Sequence, residues 1–485
     1  MFSDNDINMD YAMRRLMSVR APEIPGLHMQ LFANQAKFIT DHRQQLLDLK
    51  NSYDYDLIEY QGAFTEAELH HADIHPKKKL REMAWQELIE NGDAFAPRHP
   101  WVKTPWLKFK KGEYSKPRKK GRAIVDLGVA ASLRGFRIAH FLKQAMDNNP
   151  FDYLGGTIEF CKSPDPHRLQ SIFERLINPP GRFFFVYFSD DSCLSLRVNG
   201  EVKLFNLDIS SCDASHSREL FKLLKFMCPP HLKGDMEQLI AQCSAPLKVI
   251  STVNRKWKFK IRADSPKLFS GSTITTAINN LANFLIGLAI AEMDFRTTDD
   301  IITAARSCVY IVTGTEPLTN YSQLQFLKHS PCYDINGIVR PLLNLGVMLR
   351  ASGVCNGDLP GRGKLETRAQ QFQAGLIQGM YPKAHNSFID AMRRGNQAPS
   401  KQTLETLYHK VQDVDDYPHF YIADDEIAKR YELTSTDIGN LASTARNMTF
   451  RSHFCSSVTD KILLADYGLG VPHHSPNQCM TPNGG

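Results

Sequence analysis

The chain has 485 residues, enough to bury a large core in one multi-lobed unit or several domains. With 42% hydrophobic and 23% charged residues it is an ordinary globular composition, which excludes a disordered or collagen-like chain. A formal net charge of +6 permits a nucleic-acid partner without requiring one. The N-terminal stretch MFSDNDINMDYAMRR lacks the basic-then-apolar layout of a secretory signal. Residues 1–100 read as mostly helical; from Lys78 to Glu90, for example, Leu80, Met83, Ala84, Leu88 and Ile89 share one face. Residues 101–122 are dense in Lys, Arg and aromatics, and a helical pattern follows from about Ser132 to Met146.

From Arg182 the period changes. Phe183–Phe188 is a continuous apolar run, fit for a strand buried on both faces. Ser189-Asp190-Asp191-Ser192 reads as a tight polar turn, and Cys193–Val198 as a second strand. Asn199-Gly200 is a hairpin signal, and Glu201–Asp208 reads as a third strand of the meander. Residues 217–245 are helical with a break at Pro229-Pro230. Leu247–Val253 and Lys256–Arg262 look like a hairpin whose second strand alternates Lys256, Lys258, Lys260 and Arg262 with Trp257, Phe259 and Ile261. A long helix spans about Ser272 to Glu292; its apolar stretch Leu281 to Ala291, interrupted by Asn283 and Gly287, reads as a buried helix. No apolar run reaches the roughly 20 residues that a membrane span needs. Residues 341–470 read as mainly helical and the tail GVPHHSPNQCMTPNGG as disordered. The ten cysteines are scattered without a C-x-x-C pair, which argues against a zinc ribbon and for a reduced, intracellular protein.

Four segments carry chemistry. In Leu207-Asp208-Ile209-Ser210-Ser211-Cys212-Asp213 an aspartate ends a strand and a second follows five positions later. Two-metal phosphoryl transfer needs a carboxylate that touches both ions, a role Asp208 suits, and Asp213 past the turn could reach the ribose of an incoming nucleotide. The plainer reading is a pair of solvated aspartates at a strand–helix junction. Asp190 and Asp191 repel one another, and a site that keeps both ionised usually supplies cations, although Ser and Asp also favour ordinary turns. Ser270 to Asn279 fits S-G-x-x-x-T-x-x-x-N at the opening of the long helix: Gly271 permits close backbone approach, and Thr275 and Asn279 share a helix face. Lys116-Pro117-Arg118-Lys119-Lys120-Gly121-Arg122 can hold a triphosphate through charge-assisted hydrogen bonds, or can be a solvated charge run. Lys103, Lys108, Lys110 and Lys111, interleaved with Trp101, Trp106 and Phe109, extend that basic stretch.

At these residues the sequence resembles viral RNA-dependent RNA polymerases, over roughly Trp101 to Arg340. Asp208 and Asp213 resemble the family's D-x4-D palm motif, and Ser270, Gly271, Thr275 and Asn279 its S-G-x-x-x-T-x-x-x-N motif. Lys116, Arg118, Lys120 and Arg122 resemble the basic fingers motif over the triphosphate, and Phe326-Leu327-Lys328-His329 the F-L-K-R core of the primer grip. In most of the family the acidic pair follows the S-G-x-x-x-T-x-x-x-N helix. Here Val309 to Glu316 supplies a single carboxylate at that place, and Ser189-Asp190-Asp191 precedes Asp208 instead. That order resembles the permuted palm of birnavirus and permutotetravirus polymerases, although those carry A-D-N where this chain has S-D-D. Two other acidic segments do not fit: Asp424-Asp425 reads as a helix N-terminus, and Gly357-Asp358 lacks a second acid. The family's general-acid lysine has no counterpart in Thr313–Tyr321.

The resemblance implies an α+β right hand with an antiparallel palm sheet backed by helices and permuted connectivity. Its divisions would be a helical N-terminal extension (1–100), fingers (101–181), palm (182–222), a fingers insertion (223–265), palm with primer grip (266–340), a helical thumb (341–470) and a flexible tail (471–485). It implies RNA-templated RNA synthesis with Asp208, Asp190 and Asp191 binding Mg2+, or Mn2+ in its place, and Asp213, Ser270 and Asn279 reading the ribose 2′-hydroxyl. Phe326, Leu327, Lys328, Lys258 and Lys260 would contact primer or RNA. The implied partners are RNA template, nascent RNA, ribonucleoside triphosphates and viral replication proteins, in the host cytoplasm. Two alternatives stay open: a reverse transcriptase, and a basic RNA-binding replication scaffold without catalysis.

Overall fold

The apolar run Phe183–Phe188 is the middle strand of a five-stranded sheet, in a computed structural model that describes residues 27–53, 106–109, 123–126, 142–143, 145–147, 150–162, 164–250, 258–261, 265–268, 270, 272–351, 383–395, 416–447 and 456–468. The sheet follows chain order: Phe151–Tyr153, Gly156–Phe160, Phe183–Phe188, Asp191–Val198 and Glu201–Asn206. Only the Gly156–Phe160 and Phe183–Phe188 pair is parallel, and the helix Pro166–Ile177 makes its crossover. Successive side chains of a strand point to opposite faces. Phe183, Phe185 and Tyr187 therefore join one core, with Leu194, Phe205 and the long helix, while Phe184 and Val186 join another with Leu169, Phe173 and Leu176. Both faces are covered, which is why this strand needs no polar alternation.

Asn199 (φ 51°) and Gly200 (φ 83°) form the two-residue hairpin turn, with Val198 opposite Glu201. Both central positions have positive φ, the condition that selects Asn-Gly. The third strand is shorter than the sequence predicts. It ends at Asn206, whose side chain anchors the chain to the neighbouring segment: its Oδ1 accepts from the Gln325 N–H at 3.0 Å and its Nδ2 donates to the Gln323 carbonyl at 2.7 Å. Leu207 N–H still reaches the Ser192 carbonyl at 3.2 Å. The chain then steps sideways, and Asp208–Ile209 pairs antiparallel with Val312–Thr313, setting Asp208 opposite Thr313. Gly314 (φ 75°) allows that crossing: a Cβ there would lie 2.0 Å from the Asn206 carbonyl oxygen.

The long helix is Thr275–Glu292, buried at every residue from Ala277 to Ala291. It packs on the sheet and against Arg218–Met227 and Thr298–Ser307, on which Leu27–Asp41 packs in turn. Its polar interruptions Asn279, Asn280 and Asn283 are as buried as its leucines. Among the described residues no helix is long and apolar enough to cross a membrane. The expected break at Pro229-Pro230 separates Arg218–Met227 from a short 3-10 turn and the helix Lys233–Ser244. The expected hairpin is present as Leu247–Ile250 with Lys258–Ile261, within a four-stranded sheet that also holds Trp106–Phe109 and Ala123–Asp126.

His329–Tyr333 pairs with Val339–Leu343, so residues 341–343, expected to be helical, end a strand instead. Helices Leu345–Ala351, Ser387–Gly395, Asp424–Lys429, Ser435–Arg446 and Ser457–Tyr467 follow, with a parallel pair Ala384–His385 and Phe420–Tyr421 that the sequence reading omits. Asp424 and Asp425 lie in the first turn of their helix, as expected, behind an Ala423 cap. Two buried ion pairs peg this region: Arg430 on Asp466 at 3.0 Å and Arg340 on Asp334 at 3.0 Å. The seven cysteines among the described residues are buried and unpaired.

Candidate active site

Ser189 and Asp190 make the tight connection between Phe188 and Asp191, which pair directly. Ser189 has φ 55°, a conformation that costs a non-glycine residue roughly 1–3 kcal/mol and persists only where the surroundings enforce it. Three asparagines of the long helix do so. Ser189 N–H donates to Asn280 Oδ1 at 2.7 Å, Asn283 Nδ2 donates to the Ser189 carbonyl at 2.7 Å, and Asn279 Nδ2 donates to Ser189 Oγ at 3.2 Å. Every hydrogen-bonding group of Ser189 is thus engaged by that helix.

Around this turn the carboxylates gather. The pairing of Cys193 with Asn206, followed by the Leu207 N–H on the Ser192 carbonyl, brings Asp208 within electrostatic reach of Asp191. The Asp191 carboxyl is pushed up to about 6, first by burial and then by the charge of Asp190; the Leu327 N–H and Lys328 oppose the rise, and Asp208 adds to it. Cys212 is pushed up by burial and then by Asp213, Asp190 and Asp208 in turn, so three carboxylates act on one thiol. Asp190 and Asp208 are exposed at the rim of the cluster. Among the described residues no three His, Cys, Asp or Glu side chains are closed into a metal-holding group. The donor set itself is all carboxylate oxygen, the chemistry that suits a hard divalent cation, and clustered like charges favour one.

Asp213 lies in the short helix Cys212–Ser215, behind Ser211 at φ 50°. Its Oδ2 accepts from Ser270 Oγ at 2.5 Å and its Oδ1 from Asn279 Nδ2 at 3.2 Å. The structure therefore brings together Asp213, Ser270 and Asn279, which lie far apart in sequence, and links them to Ser189. Behind Asn279 sits a buried relay: its Oδ1 meets His216 Nε2 at 2.6 Å, and His216 Nδ1 meets Tyr310 Oη at 3.1 Å. Burial holds the His216 imidazole down to about 4, so it is neutral. Thr275 stands one turn before Asn279, with its hydroxyl donating to the Ser272 carbonyl at 2.8 Å.

Phe326 and His329 exchange two backbone hydrogen bonds of 2.9 Å, closing a reverse turn around Leu327 (φ 51°) and Lys328 (φ 67°). Two successive positive-φ residues without glycine need external support. Leu327 N–H donates to Asp191 Oδ2 at 3.0 Å, His329 Nδ1 donates to the Leu327 carbonyl at 2.6 Å, and the Lys328 ammonium lies 4.7 Å from the Tyr467 ring centroid. Arg430 steadies the approach by donating to the carbonyls of Ser322 and Gln323 at 3.1 and 3.0 Å.

Of the remaining sequence-predicted residues, Lys116, Arg118, Lys120, Arg122 and Gly271 lie outside the described residues. Lys258 and Lys260 fall at alternate positions of a strand in the separate four-stranded sheet. The sequence reading missed Asn280, Asn283, His216 and Tyr310. For the asparagines a signal existed: amides in an otherwise apolar, buried helix must find partners.

No protein-family model matches the chain, and no curated protein does. Among solved structures it is similar to a chain of the birnavirus VP1–VP3 complex, with 12% identity, TM-score 0.43, and coverage of 79% of this chain and 58% of that one. It is also similar to the RNA polymerase VP1 from Infectious Pancreatic Necrosis Virus, with 12% identity, TM-score 0.42, and coverage of 90% and 57%. The chain spans less than two thirds of either of those chains.

Proposed function

We propose that the chain is an RNA-directed RNA polymerase that copies a viral genome from ribonucleoside triphosphates. The observation that carries this reading is the hydrogen-bonded chain Ser270–Asp213–Asn279–Ser189, which joins a polar group able to read a sugar to a turn bearing Asp190 and Asp191. A site that both checks a ribose and concentrates carboxylates suits nucleotidyl transfer better than it suits RNA binding alone. In this reading Asp208, Asp190 and Asp191 would hold Mg2+ or Mn2+ ions. When bound, such ions acidify a primer 3′-hydroxyl and neutralise the leaving pyrophosphate.

The protein's own groups do the rest. Asp213, Ser270 and Asn279 accept and donate to the 2′-hydroxyl, while Gly271 and Thr275 shape the helix entrance. Arg118, Lys120, Arg122 and Lys116 bind the triphosphate as a cationic cluster. The turn at Phe326, Leu327 and Lys328 supports the primer end, and Lys258 and Lys260 line the path of the RNA. The palm comprises residues 182–222 and 266–340 with its motifs in permuted order, the fingers residues 101–181 with the insertion 223–265, and the thumb 341–470. The chain works with viral partner proteins in the host cytoplasm.

Purified protein given a primed RNA template, the four ribonucleotides and Mg2+ or Mn2+ is expected to extend the primer. Asp190→Ala and Asp208→Ala are each expected to abolish extension while the protein still unfolds cooperatively. Extension that survives both changes removes the catalytic reading. RNA binding without incorporation by the parent protein favours a scaffold, and a preference for deoxynucleotides favours a reverse transcriptase.

A further inference from the structure

We infer that His216 is a positioning residue that sets the sugar selectivity of this site by fixing the amide of Asn279. The inference rests on the polymerase reading for its substrate and on buried geometry for its content.

Asn279 has one acceptor and one donor end, and either way round fits the same volume. Its Nδ2 end faces Asp213 Oδ1 and Ser189 Oγ, both at 3.2 Å. Its Oδ1 end faces His216 Nε2 at 2.6 Å and the Cys212 thiol at 3.4 Å. Rotating the amide would turn its oxygen onto the Asp213 carboxylate and leave Asp213 Oδ1 without that donor. The Asp213 carboxylate, which only accepts, sets the direction of the amide, and the imidazole holds its other end. The imidazole is buried and neutral, so it carries a single N–H, and because Asn279 Oδ1 can only accept, that proton sits on Nε2. The opposite nitrogen is then an acceptor for the Tyr310 hydroxyl at 3.1 Å. Tyr310 is fully buried, so that acceptor nitrogen is satisfied from behind by a group that solvent does not reach.

The consequence lies in the front row. The Asn279 amide is shared between Asp213 and Ser189, so its orientation decides which lone pair of Asp213 remains for a 2′-hydroxyl. A site built to hydrogen-bond a hydroxyl rejects the analogue lacking it, because its own polar groups are then left unpaired. Losing the His216 donor should therefore cost ribonucleotides and leave deoxynucleotides nearly unaffected.

The test uses the full-length protein with ATP and 2′-deoxy-ATP as probes, in equilibrium binding and, where extension occurs, in kcat/KM. The variants are His216→Leu, His216→Gln and Tyr310→Phe. The ATP-to-dATP ratio is expected to fall about tenfold in His216→Leu, the scale of one lost hydrogen bond to the discriminated group. It should recover largely in His216→Gln, whose amide can donate to Asn279, and fall part-way in Tyr310→Phe, which takes the hydroxyl from His216 Nδ1 with little loss of packing. A structural role alone would lower both affinities together. Unchanged ratios in folded Tyr310→Phe and His216→Leu overturn the inference, as does a parent protein that binds ATP and dATP equally. A parent protein that prefers ATP in binding yet synthesises no RNA overturns the polymerase reading instead, and the binding ratios of the variants still decide the role of His216.

Discussion

Asn283→Leu separates what the long helix does for stability from what it does for the site. Asn283 is fully buried in the apolar centre of Thr275–Glu292; its Nδ2 donates to the Ser189 carbonyl at 2.7 Å, and its Oδ1 has no partner among the described residues. Leucine has the same branched skeleton of heavy atoms, with bulkier methyl ends. The change strands the Ser189 carbonyl, at a cost of roughly 1–3 kcal/mol. It also removes the orphaned Oδ1, which returns a similar amount, and buries extra apolar surface at about 25 cal/mol per Å2. The opposing effects leave stability within about 1 kcal/mol of the parent, or slightly higher. The turn at Asp190 and Asp191, however, loses one of its two backbone ties while Ser189 still sits at φ 55°. The rate of nucleotide addition is therefore expected to fall at least roughly tenfold, with little change in KM for the nucleotide. Urea unfolding and single-turnover extension measure the two sides. Parental extension at parental stability would refute the idea that Asn283 positions the acidic turn; a loss of stability of several kcal/mol would refute the energy balance.

Gly287→Ala would place a Cβ 2.8 Å from Tyr187 Oη and 3.2 Å from Ile158 Cδ1, and is expected to lower stability by about 1–3 kcal/mol. Because Tyr187 Oη is itself without a partner among the described residues, Tyr187→Phe should recover most of that loss in a thermal melt; no recovery would mean the clash lies elsewhere. Acid should destabilise the protein between about pH 6.5 and 4. His216 and His329 are both held down to about 4 by burial, below their unfolded value, so the stability they contribute is present above 6.5 and lost as pH falls towards 4. Asp191, raised to about 6, works in the opposite sense over part of that window, but one carboxyl does not offset two imidazoles. A urea midpoint that stays flat from pH 7 to 4.5 would refute this.

The central strand, the Asn-Gly hairpin and the long helix were legible in sequence because each rests on local chemistry: an unbroken apolar run, a dipeptide suited to positive φ, and helical periodicity. The grouping of Asp213 with Ser270 and Asn279 was legible through spacing and family pattern. The strand bearing Asp208 was misjudged at its end, since nothing in residues 201–208 reveals that Asn206 is taken by the carbonyl and N–H of residues 323 and 325. The relay from His216 to Tyr310 was invisible for a like reason: it joins side chains 94 positions apart and leaves no local period. Long-range polar contacts of this kind specify a site but do not announce themselves along the chain.

The acidic turn can be understood as a junction between two other elements. Ser189 on one side of Asp190 is tied to the long helix by the amides of Asn279, Asn280 and Asn283. Asp191 on the other side holds the Leu327–Lys328 turn through the Leu327 N–H. Asp190 itself has no hydrogen bond among the described residues and faces solvent. Its neighbours are committed to position and it is not, which is the division of labour expected where one carboxylate must remain open to a ligand. The backbone strain supports the same view. Ser189, Leu327 and Lys328 each hold a positive φ that glycine would adopt more cheaply, and in each case the strained residue or its neighbour touches the acidic cluster or the helix behind it. A fold that keeps costly backbone at both ends of one short hydrogen-bonded path holds the geometry between them, so a displacement at Asn279 is expected to be felt at Leu327.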